Sequence, residues 1–407
     1  MARLLVPLVL LIFVSRVSVA QEEGVEEELH IEGYYALEFQ GFFQNPQDSR
    51  QASNNSSLVL EAKMVSEWVY DDNRYVFNAM PFYRLDESDH ERTHFDLREF
   101  NLLLVNDDWD LRVGTSKVFW GAMETVHWVD IINQTDFVEG VEGEDKLGQP
   151  MINYNFDTEH GWFEFYYMPY FRKRTFPGIE GRPRNIPFID GDEAIYESSK
   201  NEWHPDLAMR WSNSLGDADV GISQFYGTTR EPSYVPVISD GEVVLHPFYE
   251  IIYQLGLDLT LAIDDWLVKC EALHRHGQQP DIDFQMVAVG FENTRYGWLE
   301  TEMDLGFIFE GLYDSRGSNP LNPYEHDVAL GTRLTVNDIN DVIVVTSLII
   351  DLHDSTTVFN FEGSRRIGDH WKMVMEGRSF WNVPSSEFPL NSFRNDNYFQ
   401  IGVECRF

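Results

Sequence analysis

The sequence predicts an all-β fold: a transmembrane, antiparallel, up-and-down β-barrel of about 16 to 18 strands, with short turns on one rim and long loops on the other. Three observations predict it. From Ile31 to the C-terminus apolar and polar residues alternate with a period of two, the mark of strands with unlike faces. The breaks in that alternation are by turns short and long. Aromatic residues make up 14 % of the chain, enough to girdle a barrel at both membrane interfaces.

The N-terminus sets the compartment. Arg3, the apolar run Leu4 to Val14 and the small residues Ser18-Val19-Ala20 read as a secretory signal peptide over residues 1–20. No other stretch approaches the roughly 18 uninterrupted apolar residues of a spanning helix, so a membrane role falls to strands. Cleavage takes Arg3 and Arg16 from the 30 basic residues and nothing from the 68 acidic ones, so the net charge moves from −38 to −40. That excess opposes phosphate contacts, and no nucleic-acid partner is expected. Cys270 and Cys405 lie in strand-like runs, too few for a disulfide scaffold in an exported chain. Residues 21–30 form an acidic leader, and 31–407 a single barrel domain.

The alternation can be followed strand by strand. Ile31, Gly33, Tyr35, Leu37 and Phe39 share one face, opposite Glu32, Tyr34, Glu38 and Gln40. Leu58 to Tyr70 repeats the pattern against Glu61, Lys63 and Glu67, and Tyr75 to Tyr83 against Asn78 and Arg84. The longest file runs Tyr249, Ile251, Tyr253, Leu255, Leu257, Leu259, Leu261 and Ile263 against Gln254, Asp258 and Thr260. Trp162, Phe163, Phe165, Tyr166, Tyr167 and Tyr170 gather rings near one strand, as an interfacial girdle would. Val342 to Ile350 is apolar on both faces and is the weakest member. The last strand places Phe399, Ile401, Val403 and Cys405 toward lipid and Glu404 and Arg406 toward water. An even series returns Phe407 to the rim of short turns.

Short turns are expected at Asp71-Asp72-Asn73, 106–108, 157–161, 213–219, Asp264-Asp265, Asn293-Thr294-Arg295, 337–341 and 368–370, all rich in Asp, Asn and Gly. Long connections fall at 44–56, 86–93, 119–148, 172–203, 228–247, 277–280, 311–325 and 382–396. Charges facing lipid near the midplane cost about 2 to 4 kcal/mol each, so Arg112, Arg210, Glu302, Arg333 and Arg378 are assigned to the lumen.

The terminal Phe407 on an alternating strand resembles the closing strand of bacterial outer-membrane barrels, where it serves as an assembly signal. A second resemblance rests on Arg112, Gly114, Trp120-Gly121, Asn133 and Asp136. These are similar to the R-x-G … W-G … N-P-x-D signature of a poorly characterised, porin-like outer-membrane family, with Gln134 in place of the usual proline. The resemblance implies an outer-membrane channel with no cofactor and no metal. Its partners would be membrane lipid, lipopolysaccharide, the barrel assembly machinery and small solutes, with monomer and homo-oligomer both open. In general porins the connection after the fifth strand folds inward. By that analogy Glu124, Asp130, Asp136, Glu139, Glu142, Glu144 and Asp145 would line an acidic eyelet, whereas the plainer reading of 119–148 is a solvated external loop. Arg172, Lys173 and Arg174 form the dense basic cluster. It either opposes that eyelet across the mouth, binds lipopolysaccharide phosphate, or lies solvated.

These readings converge on passive diffusion of small hydrophilic solutes across an outer membrane, with cation preference because carboxylate rings favour cations. Two alternatives belong to other classes: a substrate-specific transport or export channel for a less polar compound, and a barrel hydrolase. No specific catalytic motif such as G-x-S-x-G or H-E-x-x-H occurs, so no catalytic residue is assigned.

Overall fold

The computed structural model describes residues 27–70, 73–279, 283–317 and 323–407. The signal peptide, most of the acidic leader and the turn residues Asp71 and Asp72 lie outside the described residues. Alternating side chains with apolar outward faces give strands throughout. They are β1 (Glu27–Phe42), β2 (Asn54–Tyr70), β3 (Asn73–Asp86), β4 (His94–Val105), β5 (Trp109–Ser116), β6 (Gln149–Thr158) and β7 (Gly161–Met168). After β8 (Ile195–Tyr196) come β9 (Asp206–Leu215), β10 (Ala218–Thr228), β11 (Ser233–Ser239), β12 (Glu242–Tyr249), β13 (Ile251–Ile263) and β14 (Trp266–His276). The series ends with β15 (Asp283–Arg295), β16 (Met303–Asp314), β17 (His326–Val336), β18 (Val342–Asp351), β19 (Thr357–Ile367), β20 (Trp371–Trp381) and β21 (Tyr398–Arg406).

All but β8, β11 and β12 join one closed antiparallel sheet of 18 strands, in which each pairs with its chain neighbours. Closure is made by β1 and β21, in register from Tyr34 opposite Arg406 to Phe42 opposite Tyr398. Beyond that register Phe407 exchanges both backbone hydrogen bonds with Gly33, at 3.1 and 3.0 Å. Gly33 allows this because a Cβ there would meet the Glu61 carbonyl oxygen at 2.5 Å and the Phe407 ring at 2.7 Å. Arg406 also donates to the carbonyl of His370, in the short turn 368–370. Phe407 therefore sits on the short-turn rim.

The two faces of the wall are unlike. Leu37, Phe39, Phe100, Tyr253, Leu255, Val289 and Phe399 are exposed on the outside, while Gln40, Asp96, Asn101, Asp206, Glu271 and Glu310 are buried inside. Pro81 of β3, which has no N–H to donate, coincides with a register shift against β4. The alternation of β4 slips there, and Arg98 turns into the barrel.

Four details depart from expectation. β1 begins at Glu27, ahead of Ile31. Tyr249 is buried at the end of β12 and Tyr166 faces the interior, so neither belongs to an outer aromatic file. Residues Asn293 to Arg295 extend β15, and the turn falls at 296–302 around a 3-10 turn, Trp298–Glu300. Glu302 is thereby exposed in a short-rim turn, away from the lumen. Finally, 228–247 is no simple loop. β11 and β12 form a hairpin whose turn residues Asp240 and Gly241 have φ of 51° and 83°, with β8 alongside β12. An Asp-Gly pair between valine-rich runs is the sequence signal for that hairpin.

Candidate functional site: an inward loop and the passage beside it

The connection between β5 and β6, residues 117–148, enters the barrel. Its sequence explains why. Trp120, Met123, Val126, Trp128, Val129, Ile131 and Ile132 would be exposed on an external loop, and all are buried. Trp120, Val129, Ile131 and Ile132 pack against Met151, Tyr166, Met168, Ala208, Phe225 and Ile252 on the inner wall of β6 to β13. Met123, Val126 and Trp128 pack on Leu273, Met286, Leu312, Ile349 and Phe380 of the opposite wall.

Polar anchors complete the docking. Asn133 accepts from the N–H of Val118 (2.8 Å) and donates to the carbonyls of Ser116 and Leu147 (2.9 and 2.8 Å), which ties the two ends of the loop together. Two wall carboxylates act as acceptors for loop N–H groups that have no strand partner. Glu271 of β14 receives Ala122 (2.7 Å), Met123 (3.1 Å) and Val129 (3.3 Å). Glu310 of β16 receives Glu124 (2.7 Å) and Thr125 (3.1 Å). The role of Glu310 escaped sequence reasoning, since nothing in β16 distinguishes it from other inward charges.

The loop carboxylates are matched to specific cations. Glu124 bridges Lys269 (2.7 Å) and Arg333 (2.5 Å), Glu139 binds Arg84 (2.7 Å), and Glu142 meets Arg378 (3.2 Å). Glu144 lies 3.4 Å from His127, Asp130 3.4 Å from Lys146, and Asp145 3.9 Å from Arg98. Asp136 accepts from the Thr175 hydroxyl at 2.7 Å. Burial raises the Glu124 and Glu139 carboxyls, but their cationic partners outweigh it and hold both below the usual range. Burial dominates at Glu142 and Asp145, pushing them up to about 7 and about 6.

On the other wall Arg210 makes a two-pronged bridge to Asp258 (2.5 and 2.7 Å) below Trp120. Arg112 faces the lumen from β5, 3.5 Å from the Ser116 hydroxyl. The basic cluster lies at the long-loop rim with every member engaged. Arg172 binds Asp96 and Lys173 binds Asp192, each at 2.8 Å, while Arg174 donates to the carbonyl of Arg230 at 2.7 Å. Arg182, further along the same loop, reaches Asp396 at 2.8 Å and stacks 4.0 Å from the Phe42 ring. This loop starts beside β7 and ends its reach at β1 and β21, so it crosses the barrel mouth.

What space remains follows one side of the lumen. A cavity of about 560 Å³ lies between the loop and β16 to β20, edged by Glu124, His127, Glu142, Glu144, Arg333 and Arg378. A second of about 330 Å³ continues toward the short-turn rim past Glu362, Lys372, Glu376 and Gln400. The two share Val345, Glu362 and Glu376 in their walls. Toward the mouth a third, of about 250 Å³, shares His127, Glu142, Glu144 and Arg378 with the first. The apolar inward face of β18, with Ile343 and Val345, lines this series, which accounts for its weak alternation. Of the sequence-predicted residues, Glu124, Glu142, Glu144, Arg333 and Arg378 meet here, and Asp130 and Arg174 touch the cavity at the mouth. Asp130, Asp136 and Glu139 fix the loop, Arg112 and Arg210 belong to the opposite wall, and Glu302 lies outside.

No family model and no curated relative matches this sequence. Among solved structures, a loop-deletion mutant of OmpT, an outer membrane protein of Vibrio cholerae, is similar at 10 % identity and TM-score 0.48, covering 94 % of this chain and 99 % of that one. A mutant of the porin of Rh. blastica is similar at 12 % identity and TM-score 0.46, covering 93 % and 100 %.

Proposed function

We propose that this chain is an outer-membrane channel through which small hydrophilic solutes diffuse passively, with preference for cations. The observation that carries the reading is the succession of charged cavities from the mouth to the short-turn rim inside a closed barrel whose outer face is apolar. In the two cavities beyond the mouth Glu124, Glu142, Glu144, Glu362 and Glu376 outnumber Arg333, Lys372 and Arg378, whereas the mouth cavity sets Asp130, Glu142, Glu144 and Glu231 against Lys146, Arg174, Arg230, Arg275 and Arg378. A cation there exchanges hydration for carboxylates, while an anion finds each arginine already paired. The apolar belt supports residence in the outer membrane, and the export signal expected at residues 1–20 agrees with it.

The filled half of the lumen favours a solute-selective channel over a general one. The mouth cavity adds Trp128, Phe380, Leu390 and Phe393 to its charged lining, which supports a second reading: a cationic solute with an apolar portion. Planar-bilayer reversal potentials in a salt gradient test the proposal. A cation-to-anion permeability ratio above one is expected; anion preference, or no conductance from correctly folded protein, overturns it. Competition of ion current by hydrophobic amines but not by sugars would select the second reading.

A further inference from the structure

His94, Asp136 and Glu139 converge where the inward loop meets β4. Their ligand atoms lie within 4.8 Å of one another. Nε2 of His94 is 3.6 Å from Asp136 Oδ2 and 3.6 Å from Glu139 Oε1. We propose that this trio is a binding site for a divalent transition-metal ion of the zinc class, which fastens the loop to the barrel wall.

The protonation of the imidazole is decided by its other nitrogen. Nδ1 lies 3.1 Å from the carbonyl oxygen of Arg92, which can only accept, so Nδ1 carries a hydrogen. In the neutral ring Nε2 is then a lone pair, and the Nδ1 hydrogen bond to the Arg92 carbonyl fixes its direction, as the outer hydrogen bonds of metal-binding histidines do. The ring is also held against Phe82, 5.5 Å between centroids. Nε2 and Asp136 Oδ2 are both buried atoms without a hydrogen-bond partner. The Asp136 side chain is 1 % exposed, and its other oxygen is taken by Thr175. A lone pair and a carboxylate oxygen facing each other at 3.6 Å repel unless a cation lies between them. Ligands about 2.0 to 2.2 Å from a tetrahedral zinc are roughly 3.4 Å apart, close to the spacing here.

The surrounding charge has room for two positive units. Glu38, Glu61, Asp86, Asp96, Asp136, Glu139 and Asp145 stand against Arg84, Arg92, Arg98 and Arg172. Arg84 occupies one edge of the Glu139 carboxylate and leaves further lone pairs on it. The His94 side chain is 18 % exposed, which provides an entry path. A nitrogen among the ligands selects a transition metal over calcium. The competing occupant is a proton on Nε2.

The test uses full-length refolded protein in detergent, stripped with chelator and titrated with zinc chloride at pH 7.5. One zinc per chain is expected, with at least tenfold weaker binding in His94→Gln and in Asp136→Asn and no competition from millimolar calcium. Equal zinc binding by wild type and both folded variants overturns the site, as does wild-type protein that takes up none. Should the variants misfold, zinc-edge X-ray absorption on the wild type decides. One imidazole with oxygen ligands supports the site, and an all-oxygen shell overturns it.

Discussion

The two halves of the lumen differ in what fills them. Along β6 to β13 the inward loop is sealed to the wall by Trp120, Val129, Ile131 and Ile132, with Ile132 and Val129 fully buried. Along β16 to β21 the loop packs on the wall through Met123, Val126 and Trp128 and elsewhere stands off, meeting it through ion pairs with cavities between. Apolar burial needs no partner geometry and stabilises in proportion to area. Charge pairs across a wet gap contribute little net energy but fix where charge sits. The dry half therefore supplies the unbroken part of the loop's hold, and the wet half gives the passage its charge. If so, changes in the two halves should affect different observables.

The largest effect is expected from the dry half. Trp120 is 2 % exposed and touches Tyr166 edge-to-face at 5.6 Å. Trp120→Ala should cost the docked loop about 3 to 5 kcal/mol. Loop release then raises single-channel conductance several-fold and lowers cation preference, because Glu124, Glu142 and Glu144 move with the loop. Unchanged conductance in a folded variant would break the assignment of holding to this half.

The barrel was legible from the period-two alternation because outward files such as Tyr253, Leu255 and Leu257 run without interruption, β4 slipping only at its bulge. Eight long and eight short connections were legible from turn residues, except where Asn293 to Arg295 continues β15 and displaces the turn; the ninth connection on the long-loop rim, 352–356 between β18 and β19, is itself short. The loop's inward path was also present in the sequence, in the apolar run from Trp120 to Ile132, but its seven acidic residues pointed equally to water. What could not be read is the pairing of charges. Glu124 meets Lys269 and Arg333 across 145 and 209 residues of chain, and only barrel closure brings them together. For the basic residues 172–174 an eyelet partner, a phosphate ligand and solvent all stay open in the sequence because their partners, Asp96, Asp192 and the Arg230 carbonyl, are remote or unremarkable there.

An intermediate effect is expected between the two halves, where β14 reaches the loop backbone. Glu271→Ala leaves the N–H groups of Ala122, Met123 and Val129 without their shared acceptor, and each buried orphan costs about 1 to 3 kcal/mol. Local opening should become easier, so hydrogen exchange at these three amides should accelerate at least tenfold while that of the β13 and β14 ladder stays unchanged. Equal exchange in both proteins would mean that apolar packing alone holds the loop, which sharpens the contrast between the halves.

The smallest effect is expected from protons in the passage. Glu142, pushed up to about 7 by burial, and Asp145, pushed up to about 6, are charged at pH 8 and neutral at pH 5. Raised carboxyl values mean that the folded loop holds these protons more tightly than the unfolded chain does. Their contribution to docking is therefore fully present below the ordinary range near 4.5 and is lost as pH rises toward 7. Selectivity moves the other way: acidification removes negative charge facing Arg378 and should lower the cation-to-anion permeability ratio between pH 8 and pH 5. Glu142→Gln should show the low ratio already at pH 8 and flatten the profile above pH 6. A wild-type ratio that does not change over this range would remove Glu142 from the conducting path and leave Glu124, Glu362 and Glu376 as the charges that set it.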